Sequence, residues 1–178
     1  MITGATNRPS PVSSISKNFV SSMVAIMIAL DPDFDDLLTE LDRANARYLI
    51  VGGYAVAAHG YIRTTKYLDI WIDIAEDNVG LVYSALSAFG WPGIQQRDIG
   101  DPDTVLFLGV PPVCIELLKS ISGVTFATCY PRRIYLSLGQ RSVPCIGLSD
   151  LRRNKQASGR PKDREDLRRL PVPSSSSE

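Results

Sequence analysis

The chain has 178 residues, of which 44% are hydrophobic and 21% charged. That is enough for one domain with a core of its own, and it excludes two ordinary domains. The 19 Lys and Arg balance 19 Asp and Glu, so no partner can be argued from overall charge.

Residues 1–27, rich in Ser, Pro and Asn, read as a disordered extension ahead of a domain spanning 28–171, and 172–178 as a disordered Ser-rich tail. The apolar run Phe19–Leu30 is about twelve residues, short of the roughly twenty a membrane helix needs. It meets Asp31-Pro32-Asp33 without a small-residue cleavage pattern, so neither a membrane span nor a signal peptide is expected. Met23 or Met27 could be the true start.

Asp31 followed by Pro32 is an N-cap and N1 pair. Phe34, Leu37, Leu38 and Leu41 then repeat at helical spacing, which predicts a helix over Asp33–Ala46. Tyr48–Val51 reads as a brief strand, broken by Gly52-Gly53, with a short helix over Tyr54–His59 and a loop over Tyr61–Lys66. Tyr67–Ile74 alternates: Leu68, Ile70, Ile72 and Ile74 share one face; Tyr67, Asp69, Trp71 and Asp73 share the other. Asp77 or Asn78 should cap a helix running to Phe89 and ending at Gly90, with a loop over Trp91–Asp103. Thr104–Leu108 and Val113–Leu118 read as strands around Pro111-Pro112. Two more are expected near Ile134–Leu138 and Ser142–Ile146. Helices over Asp150–Ala157, capped by Ser149, and Lys162–Leu170 complete the chain. The mixture predicts a small α/β or α+β domain built around one sheet.

The three cysteines, Cys114, Cys129 and Cys145, lie far apart, with one histidine in the chain. Neither a zinc site nor a disulfide framework follows; small core residues in a reducing cytoplasm do. Arg132 to Leu170 holds eleven basic residues against four acidic ones. They could face phosphates; a solvated helix surface is the other reading.

Glycines between a strand and a helix let backbone approach phosphate oxygens. Asp69, on the following strand, is placed to hold magnesium against such phosphates. Glu116 lies in an otherwise apolar strand, where a charge is costly unless paired or metal-bound. If its strand neighbours that of Asp69, both carboxylates face one ion. Trp71 could stack on a base, though filling space is the simpler role, and His59 reads as a packing or capping residue.

This ordered set resembles the nucleotidyltransferase superfamily that includes DNA polymerase beta, and within it the minimal, AbiEii toxin-like group. Gly52-Gly53 matches its glycine pair, Tyr67-Leu68-Asp69 its carboxylate triplet, and Glu116 its third carboxylate. Tyr61–Thr65 with Lys66, GVPP at 109–112, SISGVTF at 120–126 and IGLSDLRRNKQASGRPKDREDL at 146–167 extend the similarity. The resemblance implies a mixed sheet flanked by helices and Mg2+-dependent transfer of a nucleoside monophosphate from an NTP. The acceptor would be an RNA, protein or small-molecule hydroxyl, and a cognate antitoxin is among the partners the resemblance implies. It also implies that Lys66, Lys155, Arg160 and Lys162 contact phosphate.

The departure is Tyr67, where the pattern has a carboxylate. Two metals about 3.5–4 Å apart need several anionic ligands. A phenol with a pKa of about 10 is neutral at pH 7 and a poor magnesium ligand. Asp73 shares the face but lies about 13 Å along the strand from Asp69, too far to share an ion. Three readings follow: an active nucleotidyltransferase, a catalytically degenerate nucleotide-binding or protein-interaction member of that fold, and a nucleic-acid-binding module using the basic C-terminal helices.

Overall fold

A computed structural model describes residues 31–101, 104, 106–110 and 113–173. The expectations for residues 1–27, for Phe19–Leu30, for Pro111-Pro112 and for the tail from residue 174 lie outside the described residues.

The helices are α1 (Pro32–Arg43), α2 (Gly52–Ala58), α3 (Glu76–Phe89), α4 (Gln96–Gly100), α5 (Phe126–Cys129), α6 (Leu148–Ser158) and α7 (Pro161–Arg169). The strands are β1 (Tyr48–Ile50), β2 (Tyr67–Ile72), β3 (Leu106–Val110), β4 (Val113–Leu118), β5 (Ile134–Leu138) and β6 (Arg141–Cys145). They form one mixed sheet in the order β3-β4-β2-β1-β6-β5, flanked by helices, an α+β arrangement. β4 runs parallel to β2 and β6 parallel to β1; the other neighbours are antiparallel.

Local signals explain most boundaries. Asp31 accepts the Asp33 N–H at 3.0 Å, and Pro32 opens α1. Phe34, Leu37, Leu38 and Leu41 form its buried stripe. Gly90 and Gly159 end α3 and α6 in left-handed conformations. In β2, Leu68, Ile70 and Ile72 are fully buried, each such side chain contributing about 1.5–3 kcal/mol. The opposite face changes along the strand: Tyr67 is exposed, Asp69 half-buried and Trp71 buried. The Trp71 ring meets Phe126 edge-on at 5.2 Å, and its Nε1–H donates to the Lys119 carbonyl at 3.2 Å. Trp71 therefore fills space rather than facing a ligand. The sheet face is closed at that end and open at Tyr67.

Several boundaries differ from sequence expectation. Residues 96–100 form a helix where a loop was expected, because Gln95 and Asp98 make a reciprocal capping box. The helix expected to be capped by Asp77 or Asn78 begins at Glu76. Asn78 is instead buried, accepting from the Arg47 N–H and donating to the Arg47 and Asp73 carbonyls. Gly147, not Ser149, is the N-cap of α6. β3 starts at Leu106 rather than Thr104. The glycine pair lies within the first turn of α2 rather than ahead of it. No helix among the described residues is long and apolar enough to cross a membrane.

Candidate functional site

The parallel pairing of β2 with β4 sets Asp69 directly opposite Glu116. Residues in register on adjacent strands point to the same face, so the two carboxylates are neighbours. Gly52 allows Asp69 its position. It has φ +61°, and a Cβ there would overlap the Asp69 carboxylate, with Cγ 2.5 Å and Cβ 2.9 Å away. The Gly53 N–H donates to Asp69 Oδ2 at 3.3 Å, and a Cβ at Gly53 would fall 2.7 Å from Thr65. The glycine pair thus lets a carboxylate and a loop close on the start of α2.

Burial pushes the Asp69 carboxyl above its ordinary range, opposed by the Gly53 N–H, Lys155 and Glu116. Burial and then the adjacent Asp69 push Glu116 upward as well. Neither carboxylate has an ion-pair partner among the described residues. Two neighbouring, desolvated carboxylates disfavour each other's ionisation.

A cleft of about 430 Å³ opens above them, within the usual range for small-ligand sites. Its lining brings Gly52, Gly53, Tyr67, Asp69 and Glu116 together with a basic set, Arg63, Lys155, Arg160 and Lys162. The basic set is built on buried acids. Lys155 Nζ, itself buried, lies 2.8 Å from Asp163 and 3.0 Å from Asp166. Arg63 grips both oxygens of Asp166 at 2.8 and 3.1 Å, and Arg160 donates to Asp163 at 2.8 Å. These bonds join α6, α7 and the loop before β2. Lys162 is exposed and makes no ion pair among the described residues. Partial burial and then the nearby Arg63 lower its pKa, against Asp166.

Of the sequence candidates, Gly52, Gly53, Asp69, Glu116, Lys155, Arg160 and Lys162 border this one cleft. Lys66 does not: it is exposed on the loop, outside the lining. Lys155 reaches the cleft but is committed to two aspartates and Arg160 to one, so among the described residues Lys162 alone of the basic lining set makes no ion pair. Sequence reasoning missed Arg63, Thr65, Ser120, Ser122, Asn154 and Ser158 as lining residues. Arg63 stood in a segment already singled out, but its reach to Asp166, far along the chain, left no local trace.

Among the described residues no group of three or more His, Cys, Asp or Glu converges as a metal site. Among the described residues the cleft offers two carboxylates outside any ion pair, Asp69 and Glu116; a third lining acid, Asp163, is held by Lys155 and Arg160. Two such oxygen donors could hold one hard divalent cation whose remaining ligands come from outside the pair. Asp73 does not compensate, since it accepts from Arg47 at 2.8 Å, next to Asp77. His59 caps α2 and its Nε2 lies 2.8 Å from the Ile146 carbonyl. The three cysteines are buried free thiols.

No protein-family model matches the chain, and a search of curated proteins finds no relative.

Proposed function

We propose that this chain binds a nucleoside triphosphate with one Mg2+ ion and transfers the nucleoside monophosphate to a hydroxyl of an RNA, protein or small molecule, as the nucleotidyltransferases its motifs resemble do. One observation carries the reading. Asp69 and Glu116 stand side by side in register and share a cleft of about 430 Å³ with four basic residues, Arg63, Lys155, Arg160 and Lys162. A ligand that is positive where it meets the carboxylates and negative where it meets Arg160 and Lys162 matches both sets. A metal-bound polyphosphate has that polarity.

Asp69 and Glu116 would hold the ion, which when bound neutralises phosphate charge and polarises the transferred phosphoryl group. The Gly53 N–H orients Asp69 by holding Oδ2. Lys162 supplies charge to the phosphates, while Lys155 and Arg63 fix the helix that carries it. In the reaction the acceptor oxygen bonds to the α-phosphorus, the bond to the α–β bridging oxygen breaks, pyrophosphate leaves and the acceptor proton passes to water. Free buried thiols support a reducing cytoplasm as the setting. An antitoxin partner rests on the resemblance alone.

Tyr67 supports a second reading, binding without transfer, because a neutral phenol occupies the position of a metal ligand. Incubating wild type and Tyr67→Asp with each labelled NTP, Mg2+ and total RNA separates the two. Label transfer by wild type supports an enzyme, and transfer by the variant alone supports a binding protein. No Mg2+-dependent NTP binding by either sinks both.

A further inference from the structure

We propose that Tyr67 is the base-holding residue of this cleft: its ring stacks on the planar heterocycle of a nucleoside triphosphate whose phosphates face Asp69, Glu116 and Lys162. This rests on the nucleotide reading above and gives a positive role to the residue that departs from the resemblance. Tyr67 is the single aromatic side chain among the described residues lining the cleft. It is 40% exposed, so packing does not explain an aromatic there. Its hydroxyl makes no hydrogen bond among the described residues.

Its backbone is well held. The Tyr67 carbonyl accepts from Thr65 Oγ1 at 3.1 Å, and β2 pairs Tyr67 with Cys114 in register. The next residue in that row is Gly109, across from Cys114 on β3. The residues in register with Tyr67 thus carry a small side chain and then none, and Tyr67 itself borders the cleft. One pleat repeat, about 6.6 Å along the strand, separates Tyr67 from Asp69, within the length of a single nucleotide. An exposed ring, a carboxylate pair and Lys162, which makes no ion pair among the described residues, border one cleft and match the three parts of a metal-bound NTP: base, metal and phosphates. Stacking tolerates any base, so discrimination among the four NTPs should be small.

Dissociation constants for ATP and for inorganic tripolyphosphate, each with Mg2+, test this by calorimetry on the full chain. On wild type, ATP should bind about 5- to 150-fold more tightly than tripolyphosphate. Tyr67→Leu should remove that advantage while leaving tripolyphosphate unchanged, and Tyr67→Phe should keep it. Thermal melting confirms that each variant is folded, and the wild-type comparison needs no variant. Equal affinity of wild type for both ligands overturns the stacking role alone. So does tighter ATP binding by Tyr67→Asp with no change in Tyr67→Leu, which would make Tyr67 simply a lost ligand. Failure of both ligands to bind wild type removes the nucleotide reading, and this inference with it.

Discussion

Gly52→Ala should damage both stability and the site, and the two effects have separable causes. The new Cβ meets Asp69 Cγ at 2.5 Å and Cβ at 2.9 Å. Reaching ordinary contact requires a shift of about 1 Å. That shift loosens the Gly53 N–H bond to Oδ2 and pulls Asp69 from its register opposite Glu116. The backbone adds strain, because φ +61° is left-handed and costs about 1–2 kcal/mol for a residue with a side chain. Overpacking adds about 1–3 kcal/mol, so a total of about 2–5 kcal/mol is expected from urea unfolding. Gly60→Ala is the control: it has φ +100° and nothing within 4 Å of its Cβ, so it should cost the backbone strain alone. Coupling identifies the clash. In an Asp69→Ala background the carboxylate is gone, and Gly52→Ala should cost at least about 1 kcal/mol less. Additivity within about 0.5 kcal/mol, or a Gly52→Ala protein with wild-type stability and wild-type Mg-NTP affinity, would refute the reasoning.

Lys155 and Lys162 should divide stability from binding. Lys155→Met leaves Asp163 and Asp166 short of a buried partner and should cost about 3 kcal/mol in urea unfolding, whereas Lys162→Ala should stay within about 0.5 kcal/mol yet weaken Mg-NTP binding. The opposite pattern would reverse their roles. Acid stability should report Asp163. Burial alone would raise its carboxyl, but hydrogen bonds from Arg160, Lys155 and Ser158 hold it down at about 2, against 3.8. Since the folded-state value is the lower one, the stabilisation is complete above about pH 4 and is lost as pH falls toward 2, amounting to about 2 kcal/mol. Unfolding free energy measured across that window should flatten in Asp163→Asn; an unchanged slope would mean that the network does not hold this carboxylate.

Local sequence carried most of the element list, though not the short helices Gln96–Gly100 and Phe126–Cys129, and it singled out the two carboxylates. Alternation in Tyr67–Ile74 and the stripe of Phe34, Leu37, Leu38 and Leu41 are short-range periodicities, readable because backbone geometry alone dictates them. Gly52-Gly53 was legible as a break for the same reason, but its cause was not: the crowding comes from Asp69 and Thr65, residues of other segments. That Asp69 meets Glu116 depends on β2 and β4 pairing in parallel and in one register, a choice made by packing between distant parts of the chain. The basic residues show the limit most clearly. Lys66, Lys155 and Lys162 look equivalent in sequence, yet one is outside the cleft, one is buried between two aspartates and one lines the cleft with no ion pair among the described residues. A charge's partners are set by what folds against it, and only the tertiary structure decides that.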